Sequence, residues 1–132
     1  MTHRGRESGS AIVEFVLVSV LVVTIVVALI QLVLALHVRN TLIDSASEGA
    51  RHGALLGTTP ADGVARTREL IELTLAPRYA RDVSARVVPD GAGEVIEVVV
   101  NAPLPVLGLL GPTGVVTVEG HAVVEPALDG TP

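Results

Sequence analysis

The chain has 132 residues, of which 49% are apolar, a formal net charge of −5, Phe15 and Tyr79 as its aromatic residues, and no cysteine. That length bounds it to one compact domain, or one anchor and a small head; the lack of cysteine excludes a disulfide scaffold, a thiolate metal site and a cysteine nucleophile. The apolar content argues against intrinsic disorder, and the acidic balance, with every basic residue an arginine, argues against non-specific nucleic-acid binding.

The apolar residues are concentrated near the start. Residues 1–9 form a short basic leader with Arg4 and Arg6, ending at Gly9. From Ala11 to Leu36, 22 of 26 residues are apolar, and none from Phe15 to Leu36 is charged. As a helix that uncharged run spans about 33 Å, enough for a hydrocarbon core of about 30 Å. The nine valines in Ala11–Leu36 would weaken a helix in water, but in lipid the backbone has only itself to bond to, so helix wins. Residues 10–36 are therefore predicted to be a transmembrane helix. The run is too long for the apolar region of a cleaved secretory signal. Arginines on both sides lean toward a cytoplasmic N-terminus under the positive-inside rule.

Glu14 stands at the mouth of this run. Either it lies at the interface, with the hydrophobic span starting at Phe15, or it has a partner. A cut after Gly9 would place a new amine on Ser10, four residues before Glu14 and on the same helix face. Ammonium and carboxylate would then attract at the edge of the low-dielectric region, within one chain or between subunits, and between subunits the pair would set axial register.

Gly9 followed by Glu14, Phe15 and a long aliphatic helix resembles the processing region of type IV pilin-like proteins. The continuation Leu36-His37-Val38-Arg39-Asn40-Thr41-Leu42, and then Ser47-Glu48-Gly49-Ala50-Arg51-His52-Gly53-Ala54, is similar to the TadE-like family, small pseudopilin-type proteins of the bacterial tight-adherence (Tad/Flp) pilus assembly system. The resemblance covers about residues 6–54. It implies a leader cut between Gly9 and Ser10 by a prepilin peptidase, a single-pass protein of the cytoplasmic (inner) membrane, a cytoplasmic N-terminus and an extracytoplasmic head. The chain departs from the pattern at Ser19-Val20, where relatives often carry a proline, and at Gln31, where many carry an acidic residue.

At 100° per residue, Ser10, Glu14, Thr24 and Gln31 share one sector of the helix, while Ser19 lies elsewhere. Polar groups inside bilayers usually face protein, so Thr24 and Gln31 are candidate helix contacts; the alternative is that hydroxyls bond to their own helix carbonyls. Beyond the span, residues 37–56 read as an amphipathic extension of the same helix. His37, Asn40, Asp44, Glu48, Arg51 and His52 gather on one side, and Val38, Leu42, Ala46, Gly49, Ala50 and Gly53 on the other. The Gly49-x-x-x-Gly53 face admits another backbone closely, either a partner's or that of the chain's own head.

Residues 57–126 are predicted to form a small α+β head. Thr59 as N-cap and Pro60 at the first helical position start a second, short helix to about Ala76. Three β-rich segments follow, Asp82–Val88, Glu94–Asn101 and Val115–Glu125, assembling into a small antiparallel three-stranded sheet covered by helix, a pilin-like α+β architecture with the strand order left open. The apolar segment Ala102–Pro112 is too interrupted by proline and glycine to span a membrane, and either folds over the core or lies on the bilayer or a partner. A head this small and poor in aromatics should be marginal alone, which favours completion of its core by the long helix or a partner. Residues 127–132 read as a frayed tail.

No metal-ligand spacing, phosphate loop, nucleophile elbow or dinucleotide fingerprint occurs. No catalytic, cofactor-binding or metal-binding residue is therefore assigned, and no small-molecule substrate. His121 and the acids of the strands read as surface residues. The expected function is a membrane-inserted pseudopilin or minor pilin-type protein. It would act through helix packing and head contacts with the bilayer, prepilin peptidase and other pilin-like or Tad assembly subunits. The alternative is an unprocessed single-pass anchored binding module; N-terminal sequencing separates the two.

Overall fold

Between Ser10 and Glu48 the sequence contains neither glycine nor proline, so nothing in that stretch interrupts a helical backbone. The structure, a computed structural model that describes residues 4–105 and 114–126, carries one helix through all of it: α1, Arg4–Ala54. At 1.5 Å per residue it is about 76 Å long. There is no break between leader, span and extension. The expected end at Leu56 falls instead at Ala54, because Gly57 adopts a positive φ of 85° and Thr58 folds back, its hydroxyl donating to the carbonyls of His52 and Leu55.

The second helix, α2, is Pro60–Thr74. Its start is the predicted one: Thr59 accepts from the Asp62 amide, and the Asp62 carboxylate accepts from the Thr59 amide at 2.7 Å, a reciprocal capping box. It stops two residues short of the predicted Ala76. Ala76 precedes Pro77 and is extended, as the proline ring demands of its neighbour, and Pro77–Ala80 then forms a 3-10 turn that the sequence reading did not anticipate.

The strands are β1 (Asp82–Asp90), β2 (Gly93–Pro103) and β3 (Val115–Val123), in spatial order β1-β2-β3 with both pairings antiparallel. Two consecutive hairpins place the middle strand of the sequence in the middle of the sheet. The C-terminal third of α1 lies across one face of this sheet, and α2 runs back alongside it, Gly63 against Gly49 and Gly53 and Thr74 near Thr41.

Among the described residues, five of the fourteen buried apolar ones come from α1: Val38, Leu42, Ala46, Ala50 and Ala54. They join Ile71 and Tyr79 with Ile96, Val98, Val100 and Val118 in one cluster. The long helix therefore completes the core of the head, whose packing begins at Val38 rather than at residue 57. Leader residues 1–3, residues 106–113 of the apolar segment and the tail 127–132 lie outside the described residues.

Candidate functional site

The segment around Gly9 is an exposed helix. Gly5–Ser10 are exposed, and nothing stands within 4 Å of where a Cβ on Gly9 would sit. Ser10 and Glu14 follow one turn apart, both exposed, and Phe15 is 73% exposed. The large apolar side chains of the run continue this pattern to Leu36, nearly all at least 41% exposed. An apolar surface of this extent has to be covered by lipid or by other helices, and α1 is long and apolar enough to cross a membrane.

In the apolar run, Ser19, Thr24 and Gln31 are engaged within the chain. Thr24 Oγ1 donates to the Val20 carbonyl and Ser19 Oγ to the Phe15 carbonyl, both at 2.7 Å. Gln31 is half-buried and also has a polar interaction. Backbonding of this kind leaves the hydroxyl oxygen's lone pairs available to a donor from a second helix.

The small-residue face of α1 meets the chain's own head. A Cβ on Gly49 would overlap the Thr67 hydroxyl and stand 2.7 Å from the Gly63 carbonyl; a Cβ on Gly53 would stand 3.1 Å from the Thr59 carbonyl. Gly63 faces back on them, its own Cβ position 2.7 Å from the Gly49 carbonyl. Thr67 is fully buried, with its hydroxyl donating to the Gly63 carbonyl. Of the two partners open to Gly49 and Gly53, α2 of the same chain is the one in contact. On the other flank, β3 is seated on α1 through Gly120, where a Cβ would run into the backbone of Ala46 and Ser47. Neither Gly63 nor Gly120 was singled out from the sequence. A glycine inside a valine-rich strand is the signal that marks Gly120, since it commonly denotes close backbone approach.

On the outer face of the sheet the side chains form cross-strand rows. Asn101 donates to Asp82 and accepts from Thr117. Two rows along, Arg86 Nε donates to Glu97 Oε2 at 2.5 Å, and His121 Nε2 lies 3.7 Å from Glu97 Oε1. Glu97 was expected to be an ordinary solvated acid, yet its side chain is only 7% exposed. On the central strand both neighbours lean over it, which is knowable only once the register Arg86↔Glu97↔His121 is fixed. Glu97, Glu119 and His121 also bring ligand-type atoms within 4.8 Å of one another, but the Arg86 guanidinium already supplies the positive charge there. The hydrogen bond from Arg86 holds the Glu97 carboxyl below its usual range, and the Thr59 hydrogen bonds do the same for Asp62.

A depressed folded-state pKa contributes stability that is complete above the unfolded value and lost as pH falls through the folded one. The head should therefore loosen on acidification below about pH 4. Glu97→Gln should flatten part of that dependence, measured as protease resistance of the head between about pH 6 and pH 3. An unchanged acid profile in Glu97→Gln would mean that the pair contributes nothing to folding.

The molecule is thus a long helix, apolar in its first part and packed into a small α+β head in its last. Residues 9–51 match the family model described as TadE-like protein, the family whose pattern the N-terminal sequence resembles. The match opens at Gly9, takes in the apolar run and most of the amphipathic extension, and stops before α2 and the sheet. It links this segment to Tad pilus-related proteins. No curated protein and no solved structure matches the chain.

Proposed function

We propose that this protein is a membrane-inserted pseudopilin or minor pilin-type subunit of a Tad/Flp-like pilus assembly system. The observation that carries the reading is the family match over residues 9–51, coincident with an exposed Gly9, a carboxylate at position 14 and an apolar helix of spanning length. The TadE-like family is a pilus-assembly family rather than an enzyme family, and the mode of action proposed is packing rather than catalysis.

In this reading prepilin peptidase cuts between Gly9 and Ser10 on the cytoplasmic side of the inner membrane, and the head stands on the extracytoplasmic side. The new Ser10 ammonium and Glu14 lie one helical turn apart, and at the edge of the bilayer their attraction is screened less than in water. Paired across subunits, they fix the axial register of neighbouring helices. Thr24 and Gln31, in the same sector, add hydrogen bonds between helices, each contributing about 0.6–2 kcal/mol. The exposed Phe15 and the valines and leucines around it supply the packing surface.

N-terminal sequencing of the protein from a host with an active prepilin peptidase should return Ser10 as the first residue, and Gly9→Leu should return an intact leader. A wild-type N-terminus at residue 1 or 2 in that host would instead favour the unprocessed anchored module.

A further inference from the structure

We infer that the end of the head nearest the span is itself a lipid-contact surface, seated on anionic headgroups of the bilayer that α1 crosses. The inference rests on the membrane reading of α1 and goes beyond it, because it assigns a surface of the head rather than of the helix.

Three contacts fix which end of the head faces the membrane. The Glu125 amide donates to the Ala54 carbonyl, at the far end of α1, while Gly120 meets Ala46 and Ser47. β3 therefore runs in the same direction as α1. Carrying that spacing back five residues puts Val115 roughly level with Val38. Thr74, at the end of α2, shares a groove with Thr41 and Asp44, so α2 delivers Arg78 and Arg81 to the same end. Val38 is 3% exposed, in the head core, and stands two residues beyond Leu36, where the apolar run ends. About 3 Å of helix thus separates span from head, and no glycine or proline lies there to act as a hinge.

The surface brought to that end has the chemistry of a bilayer contact. There the β2–β3 connection leaves and returns, Leu104 N–H donating to the Gly114 carbonyl. Val115 is 68% exposed and Pro103 is exposed. No charged residue occurs between Asn101 and Glu119. Around Pro103 and Val115 stand the exposed Arg39, Arg78 and Arg81, with Asp44, Glu72 and Asp82 as the exposed acids of the same end. The opposite end carries Asp62, Asp90, Glu94 and Glu125, also exposed. Apolar groups that enter the interface and arginines that meet anionic headgroups reinforce one another; this end is balanced in charge, whereas the opposite end sets four acids against Arg51, so the end near the span is the one suited to a lipid surface.

The chain has no tryptophan, which permits a clean test. Val115 and Val123 lie on the same outer face of β3, with similar exposures of 68% and 70%, at opposite ends of the strand. The full chain is reconstituted in vesicles of phosphatidylethanolamine and phosphatidylglycerol containing brominated phospholipid, with one tryptophan each at Val22, Val115 or Val123. Val22→Trp and Val115→Trp should be quenched severalfold more than Val123→Trp. Adding Arg78→Glu and Arg81→Glu to Val115→Trp should reduce its quenching toward that of Val123→Trp. In the unsubstituted chain, a photoactivatable lipid should crosslink at residues 102–105 or 114–116 and not within 86–94; this reading needs no variant to fold. Equal quenching at Val115→Trp and Val123→Trp, or crosslinks absent from 102–105 and 114–116, overturns the inference while leaving the span intact. Loss of quenching at Val22→Trp as well overturns the membrane reading, and the inference with it.

Discussion

Gly120→Ala is expected to unfold the head while leaving the apolar part of α1 helical. The added methyl would run into the main chain of α1 at Ala46 and Ser47, which no rotamer change can move aside, so β3 must lift off the helix. Overpacking of this kind costs about 3 kcal/mol or more, against a total stability of about 5–15 kcal/mol for an ordinary domain. β3 also carries Val118, 4% exposed, onto the core that Val38, Leu42 and Ala46 complete, so its displacement opens that core. In detergent micelles the variant should lose protease resistance and amide protection over Asp82–Val123 but retain protection in the span. Gly91→Ala provides the control: nothing stands within 4 Å of its Cβ position, and the change should be neutral or slightly stabilising. A Gly120→Ala head as resistant as the wild type would show that β3 is not seated on α1 through this residue.

Gly49→Ala should also destabilise the head, although two effects oppose each other there. Replacing an interior helical glycine by alanine gains about 1 kcal/mol of helix propensity. The methyl, however, would overlap the Thr67 hydroxyl and stand 2.7 Å from the Gly63 carbonyl, so α1 and α2 must separate. Separation exposes Ile71 and Thr67, both fully buried, and the expected net loss is about 2 kcal/mol. Thr67→Ala should recover part of it by removing the nearest atom, a non-additivity that marks direct contact. The decisive comparison is between folding and assembly. Were the Gly49/Gly53 face reserved for a partner helix, Gly49→Ala would leave the head's unfolding midpoint unchanged and weaken only association between subunits.

Much of this architecture could be read before any coordinates. The apolar run and the absence of helix breakers define α1, the Thr59-Pro60-Ala61-Asp62 box defines the start of α2, and alternation in Ile96, Val98 and Val100 defines the buried face of β2. What local pattern did not supply was depth and partnership. Glu97 looks like any strand acid until the register sets Arg86 and His121 on either side of it. Thr67 and Gly63 look like an unremarkable helix face until α2 is laid against Gly49.

The amino-acid sequence by itself determined that this protein has a helix of membrane-spanning length with a carboxylate at its mouth, because solvent alone decides that a long uncharged aliphatic run needs lipid or protein cover. It also pointed to a lean α+β head, expected to be marginal without help. Only the tertiary structure decided where that help comes from. The last turns of α1 are held between α2 and β3 at Gly49, Gly53, Gly63 and Gly120, so the helix that carries the apolar run is also the centre of the core. Close approach between distant segments depends on which backbones meet, and no periodicity in a single segment encodes that.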